Sequence, residues 1–121
     1  MIHVIGDIML DKWIYGKINR ISPEAPVPIL LQNSERFNLG GAGNVALNIA
    51  NINGQVDLYG SIAKDFEGSK ILELLKNTNV NSMISSDNLK TTLKNRLVGQ
   101  NGQQICRWDN EEKYELNSPL T

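Results

Sequence analysis

The chain has 121 residues, of which 40% are hydrophobic and 21% charged, and 12 basic against 13 acidic side chains leave a net charge of −1. These values suit one small globular domain and exclude both a disordered polyampholyte tail and a strongly basic nucleic-acid binder. No apolar run approaches the ~20 residues that span a bilayer. The opening residues lack a basic n-region and a small-residue cleavage site, and Cys106 is the only cysteine, so a cytoplasmic protein with a reduced thiol and no disulfide is expected.

The run Met1 to Ile5 is apolar and stops at Gly6-Asp7, the pattern of a buried strand delivered into a turn. From Lys12 to Asn38 no helical period is present. Pro23, Pro26 and Pro28 forbid a regular helix or central strand there, and Ile29 to Gln32 then reads as an edge strand. Gly40-Gly41-Ala42-Gly43 opens a helix whose apolar side chains are Val45, Leu47, Ile49 and Ile52, and Asn53-Gly54 stops it. Val56 to Gly60 alternates like a strand. Asp65 to Asn77 is a second helix with Phe66, Ile71, Leu72, Leu74 and Leu75 as its apolar set. Val80 to Ser85 reads as a third core strand. Thr91–Val98 and Gln103–Asp109 flank the turn Gln100-Asn101-Gly102 as a hairpin. The tail from Asn110 is polar and aperiodic. Strands alternating with helices indicate an α/β domain with parallel strands. The extended insert and the late hairpin interrupt that rhythm and are free to pair as a small separate sheet.

Three groups of residues could carry chemistry. Gly40-Gly41-Ala42-Gly43-Asn44 precedes a helix, where backbone without Cβ atoms lets a ligand approach and free N–H groups suit oxygen-rich ligands. The same run satisfies the loose dinucleotide pattern G-x-G-x-x-A, but no convincing buried strand precedes it. The plain alternative is a tight turn into a helix. Asp7 and Asp11 lie at and just beyond the end of the first strand, where ligands bind in open α/β sheets. A carboxylate there can accept from two adjacent sugar hydroxyls, or can merely cap a turn. Lys94 and Arg96 share a strand face by their i, i+2 spacing, with Arg107 on the following strand. Such a basic face can hold a phosphate or can be a solvated edge. His3 and Cys106 read as structural and packing residues, and Trp13 and Trp108 more readily pack the two inserts together than cover a ligand. One His and one Cys leave no room for the common catalytic triads.

Taken together, Gly6-Asp7-Ile8-Met9-Leu10-Asp11, Arg20-Ile21-Ser22-Pro23-Glu24-Ala25-Pro26-Val27-Pro28 and Gly40-Gly41-Ala42-Gly43-Asn44-Val45-Ala46 resemble the start of the ribokinase-like (PfkB) carbohydrate kinases. Lys94-x-Arg96 with Gln103-Gln104-x-x-Arg107-x-Asp109 resembles the branch that phosphorylates heptose 7-phosphate, and the likeness covers residues 2–112. It implies the N-terminal part of a three-layer α/β/α fold with a β-sheet lid, the lid made from about residues 12–38 and 92–109. It also implies sugar binding by Asp11, Gly40, Gly41 and Asn44, with Lys94, Arg96 and Arg107 at the sugar-phosphate end. Family members use ATP and Mg²⁺, and their lids often clasp into a homodimer. Their catalytic base belongs to a Gly-Ala-Gly-Asp signature in a C-terminal half that this sequence does not contain. The expectation is therefore a sugar-binding portion that is inactive alone, contains no complete ATP site, and touches neither nucleic acid nor membrane. The alternatives are a non-catalytic or complementing sugar-phosphate module, and a dinucleotide-binding domain.

Overall fold

The structure, a computed structural model, describes residues 1–111. The elements in chain order are β1 (Ile2–Ile5), β2 (Ile8–Ile21), β3 (Pro28–Gly40), α1 (Gly41–Asn53), β4 (Val56–Ala63), α2 (Phe66–Leu75), β5 (Val80–Asn88), β6 (Thr92–Val98) and β7 (Gln104–Asn110). They form two sheets: a parallel one in the order β1-β4-β5, and a mixed four-stranded one in the order β3-β2-β6-β7. The aperiodic tail lies outside the described residues apart from Asn110, which ends β7, and Glu111.

The parallel sheet is covered on one face only among the described residues. Val56, Leu58 and Ile62 alternate along β4 into a core that holds Ala46 and Ala50 of α1 together with Ile71 and Leu75 of α2. Registers place His3, Ile5, Asp57, Tyr59, Asn81 and Met83 on the other face. There Ile5 is 80% and Met83 54% exposed. This is an α/β fold with one helical layer in place.

That arrangement corrects two expectations. The run at Met1 to Ile5 is an edge strand, with only Val4 packed against the core. Val80 to Ser85 lies in the opposite edge strand, where Val80 alone is buried. Apolar runs were read as core strands, but a strand with one neighbour and one covered face buries few of its side chains.

Helix α1 turns differently from its larger side chains, and α2 does so only at Phe66 and Leu72. In α1 the buried residues are Gly43, Ala46 and Ala50, whereas Val45 and Ile52 are exposed, at 48% and 89%, and Leu47 and Ile49 pack at the margin. Small residues let the helix lie close on β4, so the close-packed face is the one with little hydrophobic bulk. In α2, Ile71 and Leu75 are buried and Leu74 packs at the margin, while Phe66 and Leu72 are exposed. Asp65 caps α2 by accepting from Gly68 N at 2.8 Å. Gly54, at φ 99°, closes α1 by donating to Ala50 O.

The second sheet joins the two inserts. β2 pairs antiparallel with β3 and parallel with β6, and β6 forms a hairpin with β7 through a turn that has Gly102 at φ 77°. The sheet starts at Ile8 and reaches Gly40 and Asn110, so it is wider than residues 12–38 and 92–109. One face is rooted in the core through Ile8, Leu10, Leu39 and Leu93. Cys106, expected to pack, is exposed, because β7 is an edge strand.

Candidate sugar-phosphate site

The free face of the four-stranded sheet follows from strand alternation. Registers align Asn38, Asp11, Lys94 and Asp109 across β3, β2, β6 and β7, and one step further along align Arg36, Trp13, Arg96 and Arg107. Residues opposite one another in a sheet share a face, and so do residues two apart along a strand. Of the charged residues singled out in the sequence, Asp11, Lys94, Arg96 and Arg107 therefore stand on one surface, and Asp7 lies outside the sheet.

On that surface the charges sort into two groups. Arg96 Nη1 lies 3.3 Å from Asp11 Oδ1, and its guanidinium sits 4.9 Å from the centre of the Trp13 ring. Lys94 Nζ lies 3.3 Å from Asp109 Oδ2, and Arg107 meets the same carboxylate through Nε and Nη2, both at 3.1 Å. The Arg107 hydrogen bonds pull the Asp109 carboxyl below its ordinary range; partial desolvation opposes this, and Lys94 adds to the lowering. Asp109 in turn raises the Arg107 guanidinium. Two cations sharing one carboxylate leave a net positive charge at this end of the face.

The glycines stand where the free face meets α1. A Cβ on Gly40 would lie 2.9 Å from Asp11 Oδ1, so the backbone runs directly against the carboxylate. Gly41, at φ 56°, takes a conformation that L side chains disfavour, and a Cβ there would lie 2.5 Å from Asp7 O. Ala42 N donates to that same carbonyl at 2.8 Å, which ties the start of α1 to the turn between β1 and β2. Asn44, on the first turn of α1, is exposed and lines a cavity of about 340 Å³ together with Asp11, Trp13 and Asn38. A neighbouring cavity of about 350 Å³ contains Asp7, Ser61, Lys90, Thr92 and Glu111. Asp7 and Asp11 thus face different cavities.

Three buried polar atoms have no hydrogen-bond partner among the described residues: Asp11 Oδ1, Trp13 Nε1 and Arg96 Nη1. They belong to the one cluster just described. The Asp11–Arg96 contact is ionic, without hydrogen-bond geometry. Sequence reasoning left Trp13 as a packing residue and gave no role to Asn38. The signal was present in the alternation Asp11-x-Trp13, which places the indole beside the carboxylate on any strand.

The glycine run does not follow a parallel strand. It leaves β3, an antiparallel edge strand of the mixed sheet, whereas a dinucleotide fingerprint is fed by a strand of a βαβ unit. The dinucleotide reading is therefore set aside. Residues 1–120 match the pfkB family carbohydrate kinase profile. The chain belongs to the PfkB family of carbohydrate kinases. Among curated relatives of this PfkB chain, the bifunctional protein HldE of Helicobacter pylori strain P12 is 46% identical over 119 residues, covering 97% of this chain and 26% of its own. That of Haemophilus ducreyi is 43% identical over 120 residues, covering 97% and 25%. The chain thus spans about a quarter of the length of these relatives. A carbohydrate kinase from Agrobacterium tumefaciens superposes with a TM-score of 0.73 at 18% identity, over 90% of this chain and 34% of the other. Arabidopsis thaliana ribokinase complexed with ribose and ATP superposes with a TM-score of 0.65 at 17% identity, over 90% and 35%. The fold is the N-terminal part of the ribokinase-like fold, and no helix among the described residues is long and apolar enough to cross a membrane.

Proposed function

We propose that this chain is the sugar-binding portion of an ATP-dependent carbohydrate kinase acting on a heptose 7-phosphate. The observation that carries this reading is the shared placement of Asp11 and Asn44 around one cavity, with Lys94, Arg96 and Arg107 on the sheet face beside it. A polyol offers hydroxyls that both donate and accept. Asp11 supplies acceptors, and the carboxamides of Asn38 and Asn44 supply both kinds of group. The net positive group formed by Lys94, Arg107 and Asp109 suits a phosphate by charge-assisted hydrogen bonds. Gly40 lets the backbone pack against the Asp11 carboxylate, and Gly41 supplies the positive φ that starts α1.

This reading assigns none of the described residues to ATP or Mg²⁺. When bound, ATP with Mg²⁺ supplies the phosphoryl group in this family. The residues here would bind and orient the accepting sugar. Transfer requires acceptor, nucleotide and metal to be positioned together, so the isolated chain is inactive in this reading. A sugar-phosphate module completed by a second chain is the alternative.

Isothermal titration of the purified chain with heptose 7-phosphate and separately with Mg-ATP tests the proposal, alongside an assay of ATP-dependent turnover. The expected outcome is binding of the sugar phosphate, no binding of nucleotide and no turnover. Turnover by the pure chain would refute the inactivity. Failure to bind the sugar phosphate by a folded chain would refute the site.

A further inference from the structure

We infer that Trp13 is a sugar-contacting residue of this site, its indole Nε1–H donating to the same ligand hydroxyl that donates to Asp11. The inference rests on the sugar-binding reading above and adds to it a residue and a contact. A buried donor or acceptor left without a partner is costly, and native proteins keep few of them. Here the orphaned atoms Asp11 Oδ1, Trp13 Nε1 and Arg96 Nη1 occur together, with Asp11 and Trp13 both lining the cavity of Asn38 and Asn44. One acceptor beside two donors is the complement of a hydroxyl group, which gives one proton and takes up to two hydrogen bonds. A phosphate oxygen offers nothing to Asp11 Oδ1, and an aliphatic group satisfies none of the three atoms.

The same geometry assigns Arg96 to the hydroxyl end of the ligand. Its guanidinium is engaged by Asp11 and the Trp13 ring, while Lys94 and Arg107 converge on Asp109. In the free chain Asp11 Oδ1 and Arg96 Nη1 face one another, and the Arg96 guanidinium lies over the Trp13 ring. A hydroxyl entering between Asp11 and Arg96 replaces an undirected 3.3 Å ion pair with directed hydrogen bonds.

Two replacements remove the donor and keep the ring: Trp13→Phe, and Trp13→benzothienylalanine, which preserves the indole shape with sulfur in place of N–H. Each is titrated with heptose 7-phosphate, with singly deoxygenated heptose 7-phosphates and with inorganic phosphate, alongside Trp108→Phe as the control. The expected loss for heptose 7-phosphate is about 5- to 10-fold in both Trp13 variants, the worth of one hydrogen bond, with inorganic phosphate and Trp108→Phe unaffected. One deoxy analogue should bind equally to wild type and to both Trp13 variants, which identifies the hydroxyl. Should Trp13→Phe disturb folding, the benzothienyl variant decides. Wild-type affinity for heptose 7-phosphate in the benzothienyl variant overturns the Trp13 contact alone. Absence of sugar-phosphate binding in the wild-type chain overturns the sugar-binding reading and this contact with it.

Discussion

Asp65 shows how much one side chain can fasten. Its carboxylate accepts from Gly68 N at 2.8 Å, Thr91 N at 2.9 Å and Thr91 Oγ1 at 2.6 Å, while Thr91 Oγ1 accepts from Ala63 N. It therefore caps α2 and also anchors the segment that enters β6. Burial pushes its carboxyl upward, but the hydrogen bonds from Thr91 and Gly68 outweigh that and hold it below the ordinary aspartate range. A folded-state value below the unfolded one means that this stabilisation is complete above about pH 4 and is lost as pH falls further through the folded value. Asp65→Ala should cost about 2 kcal/mol at pH 7 by urea unfolding, the worth of a strong cap. The gap between variant and wild type should narrow below about pH 4. An unchanged gap at pH 3 would contradict the role given to the ionised carboxylate. Asp65 was legible in the sequence only as the start of a helix. Its hold on Thr91, 26 residues away, depends on a tertiary approach that no local pattern encodes.

At the scale of elements, the antiparallel pair β2–β3 carries half of the candidate site, and Gly16 decides whether it can form. A Cβ at Gly16 would run into the Leu31 carbonyl oxygen and the Leu30 side chain beside a register shift. Gly16→Ala should therefore destabilise the chain by about 1–3 kcal/mol. Amide exchange should show the loss concentrated in β2 and β3, whereas a uniform loss or none would argue against this explanation. Much of the element order was readable. Gly54 and Asp65 mark helix ends by their own chemistry, and Gly102 marks the hairpin. The i, i+2 spacing of Lys94 and Arg96 gave their shared face. The face of α1 differs from the expected one because hydrophobic bulk is a poor guide to burial there, whereas Ile71, Leu74 and Leu75 of α2 pack as expected. In α1 the decisive residues are Ala46 and Ala50, which a ranking by hydrophobicity passes over. The edge positions of β1 and β5 were illegible for another reason: strand order depends on which strands pair, and alternation within one strand does not record that.

For the molecule as a whole, the parallel sheet has, among the described residues, two unpaired edges and one uncovered face with exposed Ile5 and Met83. Unpaired strand edges invite association. Sedimentation velocity should accordingly show weight-average mass rising with concentration, and Ile5→Lys combined with Met83→Lys should suppress the rise. A strictly monomeric wild-type chain would show that this surface does not self-associate under those conditions. The mixed sheet carries a different consequence, one of timing. Its parallel pair β2–β6 joins segments distant in the sequence, and the Gln100 side chain bonds the Ile18 backbone N and O across 82 residues. Such a closure carries the entropy of a long loop and forms slowly. The β4–α2–β5 unit and the β2–β3 hairpin can settle early, being local. Asp11 acquires Lys94 and Arg96 as neighbours only after β6 docks, so the ligand-facing surface takes shape after those local units. Competence to hold a ligand would then report on the docking of β6 against β2.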